Sequence, residues 1–153
     1  MITNKEIDFV IESNRIEGIK RPPTGEELEE FERFMKLSIV TAKEMIAFVK
    51  VYQPDAVLRN RSGLDVRVGN YYPPKGSPTI LGRLESILQD AHSIKHNAFE
   101  IHQAYEALHP FTDGNGRSGR MLWMWMMQDA PLGFLHTWYY QSLSNNRPGG
   151  QKS

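Results

Sequence analysis

Residues 109–120 of the 153-residue chain read HPFTDGNGRSGR, and this polar segment lies between two stretches with helical patterns. Upstream, Ile101, Tyr105 and Leu108 recur at helical spacing, which predicts a helix over 97–108. Downstream, the apolar run 121–127 predicts a second helix, and it is far too short to span a membrane. A glycine-rich loop that joins two helices therefore favours a helical fold for this part of the chain.

The centre of this loop is suited to binding an anion. Gly114, Asn115 and Gly116 tolerate backbone conformations that other residues rarely adopt, so successive N–H groups can point into one concavity. The next helix begins near here, and its free N–H groups and dipole favour the same anion. Arg117 and Arg120 are about one helical turn apart, so both guanidinium groups can bind phosphate oxygens at one mouth.

Two further side chains of the loop suit phosphate transfer. Asp113 provides one carboxylate, and Mg²⁺ is commonly held by a carboxylate together with substrate phosphates. His109 is a histidine, a residue whose unperturbed pKa is about 6.5, so a ring of this type is largely uncharged slightly above neutral pH and can accept a proton. Taken singly, these residues are more typical of a turn with a packed histidine; as a set they indicate a phosphate-transfer site.

The rest of the chain also has mostly helical patterns. Residues 4–17 predict a first helix. Thr24 followed by Glu27 has the spacing of a capping box, and the apolar positions after it predict one long helix to about Tyr52. Ser77-Pro78 predicts the start of another helix, and a last helix is expected near 133–143.

Residues 60–78 differ, because they are rich in glycine and proline and contain a short alternating pattern. This pattern predicts a small β-hairpin beside the helices. The expected fold class is therefore all-α with one small β-hairpin.

Composition limits the classes of protein. The chain length is that of a single domain. The 18 basic and 18 acidic residues give a formal net charge of zero, which argues against a nucleic-acid partner. The absence of cysteine excludes disulfides, thiolate metal sites and cysteine nucleophiles. With no signal-peptide pattern at the start and no membrane-spanning run, we expect a cytoplasmic protein without a membrane partner.

Residues 109–120 resemble the Fic family signature, H-P-F-x-D/E-G-N-G-R-x-x-R, with every specified position present. The resemblance implies a compact all-α Fic domain that acts as a protein adenylyltransferase (AMPylator), moving AMP from ATP to a Ser, Thr or Tyr hydroxyl of a target protein. It implies that His109 takes the proton from the hydroxyl, that Asp113 holds Mg²⁺ and that Phe111 anchors the loop. By the same resemblance the phosphates contact Gly114, Asn115, Gly116, Arg117 and Arg120.

Two other segments extend the resemblance. Residues 66–74, VRVGNYYPP, resemble the family's flap, a hairpin that lies over the nucleotide and pairs with the target's backbone. The implied nucleotide contacts there are Val68, Gly69, Asn70 and Tyr71. Tyr139 and Tyr140 resemble the family's aromatic pair beside the adenine. Without the signature, residues 66–74 would be interpreted as a proline-rich surface loop.

Residues 13–18, SNRIEG, fit the family's inhibitory pattern S/T-x-x-x-E-G/N. Ser13 and Glu17 are four residues apart and share a helix face, and Gly18 ends the helix. The resemblance implies that Glu17 pairs with Arg120 and so occupies the guanidinium that should hold the γ-phosphate of ATP. In some relatives the same glutamate orients water to remove AMP, so deAMPylation is a second expected activity.

The resemblance also implies a domain organisation. Residues 1–20 form the N-terminal inhibitory helix, residues 21–144 form the Fic domain, and residues 145–153 form a disordered tail. The target is another protein or the chain itself, and the sequence leaves open both this choice and a homo-oligomeric state.

Other functions compete with this hypothesis. One is a non-catalytic nucleotide-binding interaction module, which the intact His109 argues against. Another is transfer of a different nucleotide or of a phosphoryl group, although phosphorylating relatives depart from the glycine found here at Gly116. A zinc site formed by histidines is the third, and the absence of H-E-x-x-H and cysteine argues against it; its ligands would be His92, His96, His102 and His136.

Overall fold

The computed structural model describes residues 2–92 and 97–128, and within these ranges it contains six helices and no extended strand. In chain order the helices are α1 (Asn4–Ile16), α2 (Gly25–Met35), α3 (Ala42–Tyr52), α4 (Thr79–Ala91), α5 (Ala98–Leu108) and α6 (Asn115–Met126). The all-α fold class is therefore confirmed. None of these helices has the length and apolar character needed to cross a bilayer. The predicted last helix near 133–143, the tyrosine pair Tyr139 and Tyr140, and the predicted tail 145–153 lie outside the described residues.

Local sequence signals determine where α2 begins and where α1 ends. Thr24 accepts a hydrogen bond from the N–H of Glu27, and the Glu27 side chain accepts one in return from the N–H of Thr24, which is the predicted capping box. Gly18 follows the C-cap of α1 with φ 82°, a conformation that favours glycine. The N–H groups of Gly18 and Ile19 there bond back to carbonyls of α1, so the helix ends as predicted.

Helix α6 is the centre of the fold. It packs against α1, α2, α3 and α5, and each of its residues from Asn115 to Met124 is buried. The start of α6 is therefore polar and buried. The large apolar side chains that are almost fully buried are Trp123 on α6 itself and, on other segments, Phe31, Phe34, Phe48, Tyr105 and Phe111.

The prediction of one long helix from Thr24 to Tyr52 is wrong, because the chain breaks between Met35 and Ala42 into α2 and α3. A continuous helix over 25–52 would be roughly 40 Å long, more than the width of a small domain. The turn instead lets Phe34 pack edge-on against Phe48, with ring centroids 5.7 Å apart. Contacts from distant residues hold the turn, since His92 Nε2 accepts from the N–H of Val40 at 3.1 Å.

The predicted β-hairpin over residues 60–78 is also not formed. Its nearest equivalent is a tight turn in which Val68 and Tyr71 exchange two backbone hydrogen bonds of 2.9 Å around Gly69-Asn70. Pairing stops there because Pro73 and Pro74 have no N–H to donate. The chain runs on as an irregular loop.

Candidate active site

His109 stands at the C-terminal end of α5 and is 7% exposed. Its backbone is left-handed, with φ 51° and ψ 62°, and it is the one non-glycine residue with positive φ in the described part of the chain. Its Nδ1 lies 3.1 Å from the carbonyl oxygen of Glu106. Because a carbonyl can only accept, Nδ1 carries the proton in that bond, and Nε2 is the basic nitrogen of the neutral ring.

The loop after His109 is held from inside by side chains of its own. Asn115 both accepts from the N–H of Phe111 at 2.9 Å and donates to the Phe111 carbonyl at 2.8 Å. Ser118 donates to the Gly114 carbonyl at 2.8 Å, and its hydroxyl lies 2.7 Å from that of Tyr105. Phe111 itself is 1% exposed, so its ring fixes the loop to the core.

The beginning of α6 lines a cavity. Gly114 at the N-cap has φ 78° and provides no side chain to cap the helix. The first N–H groups of a helix have no partner within the helix, and together with the helix dipole they favour an anion. The N-terminus of α6 is thus suited to a phosphate group.

Asp113 provides a carboxylate next to this helix start. It is exposed, and its Oδ1 accepts from the N–H of Gly114 at 2.7 Å. Among the described residues there is no group of three or more side chains that could hold a metal ion by themselves. One exposed carboxylate next to an anion site fits Mg²⁺ when phosphate oxygens supply further ligands, which is how Mg²⁺ is usually held with nucleotides.

Arg117 is 3% exposed and only partly satisfied. Its Nη2 donates to Gln53 Oε1 at 2.5 Å, and its Nη1 lies 3.4 Å from Asn14 Oδ1. Its Nε is buried and has no hydrogen-bond partner in the part of the chain that the structure describes. Burial lowers the pKa of the guanidinium from its usual value, while the carboxylates of Glu17 and Glu27 oppose this. A cation buried with a donor unused is a strong attractor for an anion.

Arg120 is 2% exposed and is bound by residues of α1 and its end. Its Nε donates to the Ser13 hydroxyl at 2.8 Å and its Nη2 to the Ser13 carbonyl at 2.9 Å. The same Nη2 donates to Glu17 Oε2 at 2.6 Å. Gly116 makes room for this contact, because a Cβ there would overlap the Glu17 carboxylate. The structure thus places Glu17 against Arg120, the pairing that the sequence pattern implied.

A cavity of about 380 Å³ joins most of these groups. It brings together the histidine, the helix start with Arg117, and the glutamate of the inhibitory pattern. The sequence-predicted site residues that line it are Glu17, Val68, Gly69, His109, Asp113, Gly114, Asn115, Gly116 and Arg117. The remaining predicted residues within the described ranges are not among its lining residues: Ser13, Gly18, Asn70, Tyr71 and Arg120. Tyr71 instead donates its hydroxyl to the Ala107 carbonyl at 2.7 Å.

Gln53 is a site residue that sequence reasoning missed. It follows α3, lines the cavity, and accepts from Arg117. A Cβ at Gly114 would lie 3.3 Å from the Cβ of Gln53, so the two residues are nearly in contact. Only its position just before Pro54 marks Gln53 in the sequence, and that indicates a helix end rather than a site.

The two described histidines of the zinc alternative, His92 and His102, make contacts with the main chain. His102 Nδ1 lies 3.0 Å from the Gly119 carbonyl, and His92 accepts from Val40 as noted above. The other two residues of the zinc alternative, His96 and His136, lie outside the described residues.

Comparison with known proteins completes the description of the site. No solved structure matches the chain. The model of the Fic/DOC family matches residues 46–127, which is more than half of the chain and contains most of α3 and all of α4 to α6, with the whole loop 109–120. The chain therefore belongs to the Fic/DOC family, whose members generally catalyse nucleotidyl or phosphoryl transfer.

Proposed function

We propose that the chain transfers AMP from Mg-ATP to a Ser, Thr or Tyr hydroxyl of a target protein, and that Glu17 restrains this activity. The observation that carries the proposal is that one cavity contains both a histidine with a defined basic nitrogen and a helix start that can bind phosphate. A proton acceptor and an anion site in the same cavity are what transfer to a hydroxyl requires.

In the proposed reaction the hydroxyl oxygen attacks the α-phosphorus of ATP. His109 Nε2 takes the hydroxyl proton while Nδ1 keeps its bond to the Glu106 carbonyl. The bond from the α-phosphorus to the oxygen shared with the β-phosphate breaks, so pyrophosphate leaves and AMP remains as an ester on the target. The N–H groups at the start of α6 and the guanidinium of Arg117 stabilise the charge on the phosphates.

Asp113 is the residue that would hold Mg²⁺, because its carboxylate is exposed at the cavity. When bound, the ion would neutralise phosphate charge and fix the orientation of the phosphates. The target is proposed to lie along residues 66–74, of which residues 66–69 line the cavity.

Restraint follows from the contacts of Arg120. Its guanidinium cannot bind the terminal phosphate of ATP while it donates to Glu17 and Ser13. Glu17 and that phosphate therefore compete for one cation. ATP bound beside an occupied Arg120 would be held with its α-phosphate out of line for attack.

Removal of AMP is a second candidate activity, favoured by the position of the Glu17 carboxylate in the same cavity as His109. There it can orient a water for attack on an AMP ester. Release of AMP from a modified protein should then stop in Glu17→Gln.

The test of transfer uses ATP labelled at the α-phosphate and, separately, at the γ-phosphate. The Glu17→Gly protein should become labelled itself, or label a protein in a lysate, from α-labelled ATP only, and Glu17→Gly/His109→Ala should not. Label from γ-labelled ATP would instead support phosphoryl transfer. ATP binding without any label would support the non-catalytic binding module.

A further inference from the structure

Arg59 is a charged side chain that is fully buried, with 0% exposure, and the roles above do not use it. Its Nε donates to the His109 carbonyl at 2.7 Å and its Nη2 to the Leu108 carbonyl at 2.9 Å. Its Nη1 donates to the carbonyls of Leu64 and Pro74, at 3.0 and 2.8 Å. One guanidinium therefore joins the end of α5 to two points of the loop between α3 and α4.

The chemistry of this position calls for arginine. Burial lowers the pKa of the Arg59 guanidinium from its usual value, and Asp65 opposes this. An arginine nevertheless stays charged, so the cost of burying it must be offset by hydrogen bonds. Four main-chain carbonyls in different directions match the planar fork of a guanidinium. The compact ammonium of a lysine cannot reach them all.

The Nε of Arg59 supports the backbone of His109 through its hydrogen bond to the His109 carbonyl. An L-residue with φ 51° and ψ 62° is unfavourable on its own and persists only when its surroundings hold it. The N–H of His109 donates to the Tyr105 carbonyl at 3.0 Å, and its carbonyl accepts from Arg59. Hydrogen bonds therefore hold the His109 backbone at both its N–H and its carbonyl.

The Nη1 of Arg59 supports the loop that lines one side of the cavity. Leu64 and Pro74 flank residues 66–69, which line the same cavity as the start of α6. The main chain of Arg59 adds to the same connection, because its N–H donates to the Pro110 carbonyl at 2.8 Å. Arg59 itself does not line the cavity, so it would contact neither nucleotide nor hydroxyl.

We propose that Arg59 is a positioning residue, which sets where the His109 imidazole lies relative to the loop of residues 64–74 and hence to the attacking hydroxyl. The inference rests on the proposed function, since it assigns Arg59 a part in that transfer. This role differs from that of the groups proposed to bind phosphate, all of which lie on or next to α6.

The test compares Arg59→Lys with Arg61→Lys, both in the Glu17→Gly background. Arg61 is an exposed arginine two residues along the same segment and serves as the matched control. Displacing a reacting group by about 1 Å can slow a reaction about 100-fold, so kcat per folded molecule should fall roughly 10- to 100-fold in Arg59→Lys. KM for ATP should stay within about twofold, because the phosphate-binding groups are unchanged. Arg61→Lys should keep both constants.

A purely structural role for Arg59 gives a different result. Arg59→Lys would then have a lower unfolding temperature and a smaller folded fraction, but an unchanged kcat per folded molecule. That outcome would overturn the proposal. A rise in KM for ATP with kcat retained would also overturn it, since Arg59 would then serve nucleotide binding.

Nuclear magnetic resonance of the His109 ring provides a readout that needs no activity. In the Glu17→Gly protein the ring should show one set of signals with Nδ1 protonated, and in Arg59→Lys these signals should shift or split. If the Glu17→Gly protein transfers no AMP, the proposed function fails, and the ring signals still decide the role of Arg59. Unchanged ring signals in a folded Arg59→Lys protein would refute it.

The protein without substitutions provides the test if Arg59→Lys does not fold. The Nε–H of Arg59 should then exchange with solvent as slowly as the most protected backbone amides, because it is buried in a bond to His109. Rapid exchange of that proton in the folded protein would overturn the proposal.

Discussion

Replacing Glu17 should release the enzyme, and the size of the effect follows from its contact with Arg120. The 2.6 Å bond joins a guanidinium that is 2% exposed to a carboxylate that is 18% exposed. A hydrogen bond that involves a charged group contributes about 1.5–3 kcal/mol. About 1.4 kcal/mol corresponds to a tenfold change in an equilibrium constant. Under the proposed function, the bond between Glu17 and Arg120 should therefore weaken the productive binding of ATP roughly 10- to 100-fold. Glu17→Gly should therefore raise the initial rate of AMP transfer by about that factor, and Glu17→Gln by less.

The assay is the incorporation of α-labelled AMP at saturating Mg-ATP, with thermal unfolding measured on the same samples. Because Arg120 loses its bond to Glu17, Glu17→Gly should unfold a few degrees lower while reacting faster. The control is Glu12→Gln on the same helix, where the carboxylate lies on the surface 3.4 Å from Arg15. Equal transfer by the original protein and the Glu17 variants would refute the reasoning.

Three other predictions concern residues whose contacts are equally defined. His109→Ala in the Glu17→Gly background should lower AMP transfer at least about 100-fold while ATP binding by calorimetry is kept; unchanged transfer would exclude His109 as the proton acceptor. Burial favours a raised pKa for Glu27, but the hydrogen bonds from Arg21 and the N–H of Thr24, together with the charges of Arg21 and Arg117, outweigh it, and its pKa lies below the usual 4.5. The lowered pKa of Glu27 stabilises the folded state fully above about pH 4.5, and this stabilisation is lost as the pH falls through the lowered pKa. Glu27→Gln should therefore lower the unfolding temperature most at neutral pH. The difference in unfolding temperature between the original protein and the variant should shrink in acid. An undiminished difference in acid would contradict this. Gly116→Ala should destabilise the protein by displacing the Glu17 carboxylate, and less so in Glu17→Gly; equal losses in denaturant unfolding would show that the two residues are not coupled.

Local features of the fold could be predicted from the sequence because they depend on neighbouring residues. The capping box at Thr24, the helix end at Gly18 and the polar turn before α6 all have signals within a few positions. The placement of Glu17 against Arg120 is long-range, and no periodicity indicates it. It was expected only from the family resemblance.

The break between α2 and α3 could not be predicted in this way. No glycine or proline marks residues 36–41, and the apolar pattern continues across them. The turn forms because Phe34 and Phe48 pack against each other and because His92 accepts from Val40. Tertiary packing of this kind overrides local preference.

The polar residues that support the site escaped prediction for a related reason. Gln53 lies 64 positions from Arg117 in the sequence, and Arg59 lies 50 positions from His109. Arginine and glutamine are usually solvated, so nothing in their local sequence marks them as buried. Only the folded chain shows that each reaches a group of the cavity.

The internal bonds of Asn115 and Ser118 hold the loop of residues 109–120 in its shape through contacts of the protein alone. A loop held in this way loses little conformational entropy when a phosphate group binds, so most of the interaction energy is available for holding the ligand. Under the proposed function, switching between the restrained and the active state then needs only a change of partner at one guanidinium, and the two states can interconvert without any refolding of the loop.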